Sequence, residues 1–131
     1  MEIAIKTTKR EEIIDITEKI KEIVEGSEEA KNGKAVLVYV PHATCSIIIN
    51  ESYDENVRED ILFYLRKQIP QGIWKHDKID NNADAHIKSS LIGASQIVPL
   101  EKGKLQLGRW QGIGLAEFDG PRERKVIVKI L

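Results

Sequence analysis

The stretch Asn81–Ser95, NNADAHIKSSLIGAS, gathers a carboxylate (Asp84), an imidazole (His86), an ammonium (Lys88), three hydroxyls (Ser89, Ser90, Ser95) and a glycine (Gly93) into one short segment. The chain has three histidines. His76 and His86 flank the start of this segment, and His42 lies far upstream between two strand-like runs. Neutral imidazole is a common ligand for zinc and other transition metals, and three imidazoles with one water make an open, catalytic-type site. The expectation is that His42, His76 and His86 meet around one divalent metal ion, zinc by ligand type. Asp77 and Asp84 would orient the rings as outer acceptors. The competing reading is three unrelated histidines, because the spacing matches no HxxxH, HxH or CxxC motif.

Other residues could handle protons or anions. Glu51 follows a core strand and could act as ligand or general base, although a carboxylate there can equally cap a helix. Lys88, Arg109, Arg122 and Arg124 could recognise phosphate or carboxylate, set against the ordinary role of charge in solvating a surface. Cys45 sits among apolar residues and reads as a small core residue rather than a nucleophile. Trp110, within GRWQGIG, fits the core, a subunit interface or a stacking platform. No P-loop or GxGxxG is present, so a nucleotide-binding fold has no support.

The elements that must position these groups follow from periodicity. Met1–Thr7 alternates as a half-buried strand, and Glu11–Ile16 reads as a second. Thr17 is expected to cap a helix carrying Ile20, Ile23 and Val24, closed by Gly26. Ser27–Lys34 reads as a surface loop. AVLVYV at Ala35–Val40 predicts a strand buried on both faces. Thr44–Asn50 is the next strand, which places His42 at the end of two core strands. Asp54–Ile69 predicts a helix with Val57, Ile61, Tyr64, Leu65 and Gln68 or Ile69 as its apolar stripe, capped by Asp54 or Ser52. Gln71–Asn82 reads as a long ordered loop bearing His76 and Asp77. Asp84–Leu91 suits a short helix ending at Gly93. Ala94–Leu100 is a strand turning at Lys102-Gly103-Lys104 into Leu105–Leu107. Gly108–Gly114 is too glycine-rich for a regular strand interior and predicts a bulge or a close approach by a ligand or another chain. Lys125–Leu131 closes the chain. Strands linked by hairpins, without regular βαβ alternation, predict one α+β domain over residues 1–131. Its core would be a mostly antiparallel β-sandwich or barrel, with two or three helices packed outside.

Composition narrows the function class. A chain of 131 residues with 41% hydrophobic residues fits one globular domain. A net charge of -1 gives no reason to expect a nucleic-acid partner. No apolar run approaches the roughly 18 residues that span a bilayer. One cysteine excludes an intrachain disulfide, and MEIAIKTTKREE lacks the apolar core of a signal peptide. These features predict a cytoplasmic protein. A charged fraction of 31% is a balance often met in thermophile proteins.

The segments HATCSIIINES (His42–Ser52), KHD (Lys75–Asp77), ADAHIKSSLIGAS (Ala83–Ser95), GKLQLGRWQGI (Gly103–Ile113) and AEFDGPRERKV (Ala116–Val126) together resemble the YjbQ-like family, whose members are often labelled secondary thiamine-phosphate synthases. The resemblance covers nearly the whole chain. It implies a compact β-rich α+β fold, a homotrimer, and a polar site near subunit boundaries where the family histidines cluster. His42, His76 and His86 all fall on family motif positions, as do Asn50, Glu51, Asp84, Lys88, Ser95, Trp110 and Gln111. Glu55 departs from the proline of many relatives, and the Asp119–Arg122 turn varies within the family.

Two functions follow as expectations. One is a metal-dependent enzyme acting on a small phosphorylated metabolite, with thiamine-phosphate synthesis as the named candidate. His42, His76 and His86 would hold the metal, Glu51 or Asp84 would handle protons, and Lys88, Ser95, Trp110 and Gln111 would bind substrate. The other is a non-catalytic trimeric protein that binds a small molecule or metal.

Overall fold

The computed structural model describes all 131 residues. Eight strands form two antiparallel sheets. One has the order β1-β8-β3-β5-β6, built from β1 (Glu2–Lys6), β3 (Ala35–Tyr39), β5 (Ser95–Glu101), β6 (Lys104–Leu105) and β8 (Glu123–Ile130). The other has the order β2-β7-β4, built from β2 (Glu12–Asp15), β4 (Cys45–Glu51) and β7 (Gln111–Glu117). The helices are α1 (Thr17–Glu25), α2 (Glu55–Gln68) and α3 (Ala83–Ile92). The α+β sandwich expected from hairpin links and strand alternation is the observed architecture.

The main core lies between the sheets. Val36, Val38, Val98, Val126 and Val128 of the five-stranded sheet meet Cys45, Ile47, Ile113 and Leu115 of the three-stranded sheet, and α1 inserts Ile20 and Val24 among them. A second, smaller core of Leu62, Ala85, Ala116 and Phe118 joins α2 and α3 to the outer face of the three-stranded sheet. Its central strand β7 is therefore covered on both sides, and Gly112–Phe118 are all buried.

The structure corrects four local expectations. β3 is buried on one face only: Val36 and Val38 are enclosed, while Tyr39 is exposed. Its outer face has no helix over it, and neither does that of its neighbour β5, where Ile97 is 59% exposed. Gly112 and Gly114 lie in a regular strand rather than a bulge. A Cβ on Gly112 would overlap the Ser52 hydroxyl, and one on Gly114 would stand 2.9 Å from Ile13 Cγ2. The close approach that glycine permits is thus made by the chain's own side chains. Thr17 is the first helical residue rather than the cap, and its hydroxyl accepts from the Ile113 N–H. On α2, Asp54 caps as expected, accepting from the Asn56 N–H, but Leu62 is the buried residue and Tyr64 stays 62% exposed. Lys102 and Gly103 both take positive φ, the backbone of a two-residue hairpin between β5 and β6.

Candidate functional site

The sequence-selected residues fall into separate places. His76 and His86 come together. His76 sits in a 3-10 turn, Lys75–Lys78, and His86 on α3. Their rings meet edge to face with centroids 5.1 Å apart. His76 Nε2 also lies 3.5 Å from the Asp80 carboxylate. Asp77 holds this turn in place. One carboxylate oxygen accepts from the N–H groups of Gly72 and Trp74, and the other from the N–H of Ala83 at the start of α3. Desolvation pushes the Asp77 carboxyl up, but these three hydrogen bonds outweigh it and hold the group below the usual carboxylate range. Asp77 is thus the staple that brings the His76 turn against α3, a structural duty rather than contact with a ring.

Asp84 and Lys88 occupy the opposite side of α3. Positions two apart on a helix are separated by about 200° around its axis, so His86 faces away from both. Neither Asp84 nor Lys88 has exposed surface. Lys88 Nζ donates to Asp84 at 2.9 Å and to Glu11 at 3.4 Å. Arg10 adds two hydrogen bonds to the two Asp84 oxygens, at 2.9 and 3.2 Å. Burial alone would raise the Asp84 carboxyl, but the Arg10 and Lys88 hydrogen bonds hold it below its ordinary value. Asp84 therefore stays ionised near neutral pH, and the Lys88 ammonium has no route to a ligand from solvent. Arg10 and Glu11 were missed from sequence because they come from the approach to β2, more than seventy residues from α3. Only the i, i+4 spacing of Asp84 and Lys88 signalled an ion pair.

His42 stands apart from the other two histidines. Its Nε2 accepts from the Lys125 N–H at 2.9 Å. A neutral ring with Nε2 so engaged carries its proton on Nδ1, which then has no lone pair for a metal. Burial, followed by the Arg124 charge, lowers the His42 pKa and keeps the ring neutral. In this geometry His42 is a hydrogen-bond acceptor through Nε2, with its Nδ1–H left over. Beside it, a buried ion pair bridges the two sheets: Arg124 of β8 donates through Nε to Glu117 of β7 at 2.9 Å. Thr7 donates to the same carboxylate, and Thr44 accepts from Arg124. Burial pushes the Cys45 thiol up to about 11, so it remains protonated and fits its place as core filling.

Glu51, Trp110 and Gln111 share a third place. The end of β4 pairs with the start of β7, Glu51 opposite Gln111. Together with Ile49 and Asn50, and with Trp110, they line an open cleft of about 470 Å³. Trp110 is 56% exposed, with the Tyr53 ring edge-on at 5.9 Å and the Arg109 guanidinium over its face at 5.0 Å. Ser95 belongs to none of these groups; it begins β5, exposed, opposite Tyr39. No set of three or more His, Cys, Asp or Glu side chains within one chain is arranged to hold a metal ion. No helix is long and apolar enough to cross a membrane.

Two antiparallel sheets closed by α1, with a histidine pair on the outside of α3, define a small α+β domain with a surface imidazole site. The family model described as "UPF0047 protein YjbQ-like" matches residues 1–131, and the chain belongs to that family. It is 52% identical to a UPF0047 protein of Archaeoglobus fulgidus over the full length of both chains. It is 43% identical to the UPF0047 protein YugU of Bacillus subtilis, covering 98% of this chain and 96% of YugU. A crystal structure of a YjbQ/UPF0047 protein from Clostridium acetobutylicum superposes with a TM-score of 0.93 at 46% identity, covering 100% of this chain and 99% of that one. A Sulfolobus solfataricus protein described as of unknown function gives a TM-score of 0.93 at 39% identity, covering 99% and 94%.

Proposed function

We propose that this protein is a metal-assisted enzyme acting on a small phosphorylated metabolite, with thiamine-phosphate synthesis as the candidate reaction. The observation that carries the reading is the His76–His86 pair. Two imidazoles from different elements touch at the surface, and a dedicated carboxylate, Asp77, locks their relative position. Two imidazoles held side by side suit a divalent ion such as zinc, and Asp80, whose carboxylate lies 3.5 Å from His76 Nε2, is the candidate third donor. Such an ion would supply positive charge to a departing phosphate or diphosphate.

The remaining roles fall to the chain's own side chains. Arg122, half exposed and oriented by Asp119, is the cation placed to meet phosphate near the start of α3, because Asp119 also accepts from Asn82. The Asp84–Lys88 pair positions α3. His42 and the Trp110 cleft lie apart from the histidine pair and take no part in this reading. Assembly as a homotrimer, through the uncovered outer face around Tyr39 and Ile97, belongs to the same proposal.

The test is coupling of the two thiamine precursors, an aminopyrimidine-methyl diphosphate and a thiazole phosphate, by metal-loaded protein beside His76→Ala and His86→Ala. Metal-dependent turnover lost in both variants is the expected result. Equal rates in all three proteins would refute the reading. A non-catalytic binder is the second reading, favoured by the open cleft at Trp110; a ligand that co-purifies and is released unchanged would select it.

A further inference from the structure

The end of β4 carries main-chain groups that the sheets leave without partners. β4 is an edge strand, with β7 on one side and no strand on the other. Ile49 stands opposite Ile113 in the ladder. The Ile113 N–H donates to Thr17 Oγ1 and its carbonyl accepts from the Ile16 N–H, so both turn toward β2 and away from β4. In an antiparallel pair the opposite residue then turns its own N–H and carbonyl outward as well. The Ile49 N–H and C=O therefore point out of the free edge, as do those of Cys45, Ile47 and Glu51 at every second position.

Side chains cover most of that row. Ser89 Oγ donates to the Cys45 carbonyl at 2.7 Å, and Gln96 Nε2 to the Ile47 carbonyl at 3.3 Å. The Glu51 N–H is taken by Asn50 Oδ1 at 2.7 Å. Ile49, between them, keeps a donor and an acceptor side by side, and no side chain engages either. It also lines the open cleft of about 470 Å³, together with Asn50, Glu51, Trp110 and Gln111. An added peptide strand needs a longer row of free groups, and Gln96 and Asn50 close this one on both sides. The cleft has the volume of a small-molecule site. One residue's N–H and C=O match a planar group that carries an acceptor and an N–H donor on neighbouring atoms. A ring nitrogen beside an exocyclic amino group is that arrangement.

We infer that the Trp110 cleft binds a planar amino-heterocycle. Its ring nitrogen accepts from the Ile49 N–H and its amino group donates to the Ile49 carbonyl. Trp110, more than half exposed, walls the cleft with aromatic surface for the ring. The inference rests on the non-catalytic reading of this cleft, to which it gives a ligand class, and does not depend on the histidine pair.

Titration of the isotope-labelled whole protein with 4-aminopyrimidine, pyrimidine and aniline, followed by amide chemical shifts, tests it. Pyrimidine lacks the donor and aniline lacks the ring acceptor. 4-Aminopyrimidine is expected to saturate one site per chain, about fivefold or more tighter than either. The Ile49 amide is expected to be among those that move most. Trp110→Ala, a change at an exposed position, is expected to weaken binding about threefold or more. Ile49→Pro removes the N–H without breaking a ladder bond, and is expected to erase the advantage over aniline; if that variant does not fold, the Ile49 shift in the parent decides. His76→Ala and His86→Ala are expected to bind as the parent does. No saturable binding, equal affinity for the three probes, or an Ile49 amide unmoved at saturation would overturn the inference. A co-purified ligand that shifts Trp110 and leaves Ile49 unmoved would also overturn it, while keeping the non-catalytic reading.

Discussion

The two sides of α3 carry side chains of equal chemical promise and opposite circumstance. Toward the core, Asp84 and Lys88 are wholly enclosed and bound to each other, to Arg10 and to Glu11. Toward solvent, His86 touches His76 and little else that is polar. A carboxylate and an ammonium one helical turn apart look catalytic when read in sequence. Burial makes them a cross-link, because a buried charge must be matched by its neighbours and has no freedom left for a substrate. The difference teaches that reactive residue types mark the site only where the fold leaves them unsatisfied.

The largest expected effect comes from breaking the buried side. Asp84→Ala strands Lys88 and Arg10, and is expected to cost about 3–5 kcal/mol in chemical denaturation. A loss below about 1 kcal/mol would mean the cluster is wetter than described. The acid limb of stability should change with it. Asp84 has a lower pKa folded than unfolded, so the folded state binds fewer protons. Its contribution is complete above about pH 4 and is lost as pH falls through the folded value. In Asp84→Asn, that acid-side loss is expected to shrink when stability is measured against pH.

Next comes Gly112→Ala, which forces a methyl into Ser52 and is expected to cost about 1–3 kcal/mol; Gly112→Ala combined with Ser52→Gly should recover much of it. His42→Ala removes one acceptor from the Lys125 N–H and is expected to cost about 1 kcal/mol. Because the folded state lowers the His42 pKa, its share of stability is present above about pH 6.5 and declines below it. The smallest effect belongs to the solvent side: His76→Ala and His86→Ala are each expected to move stability by about 0.5–1 kcal/mol, the scale of one edge-to-face contact.

Much of the fold was legible because it rests on local pattern. A continuous β-branched run located the strand of Val36 and Val38, Asp54 announced α2, and Lys102-Gly103 announced the hairpin. What failed was whatever depends on a neighbour distant in the chain. The outer face of β3 reads as apolar in sequence, but no element lies over it. Leu62 is buried because β2 and β7 happen to pass beneath it. For the site, sequence singled out His42, His76 and His86 by residue type, and only His76 and His86 meet; Asp77, expected to orient a ring, instead accepts backbone N–H groups. It supplied no hint of Glu11 beneath Lys88, nor of Glu117 clasping Arg124 across the two sheets. The Lys125 N–H that claims His42 Nε2 was equally invisible, and that one bond makes Nε2 a hydrogen-bond acceptor in place of a metal ligand.

The measurement that tests the central claim most directly is the metal content of purified protein after equilibration with zinc, compared among the parent, His42→Ala, His76→Ala and His86→Ala. The account predicts one ion per chain in the parent and in His42→Ala, and none in the other two. A parent without metal, or metal retained in both His76→Ala and His86→Ala, would contradict it.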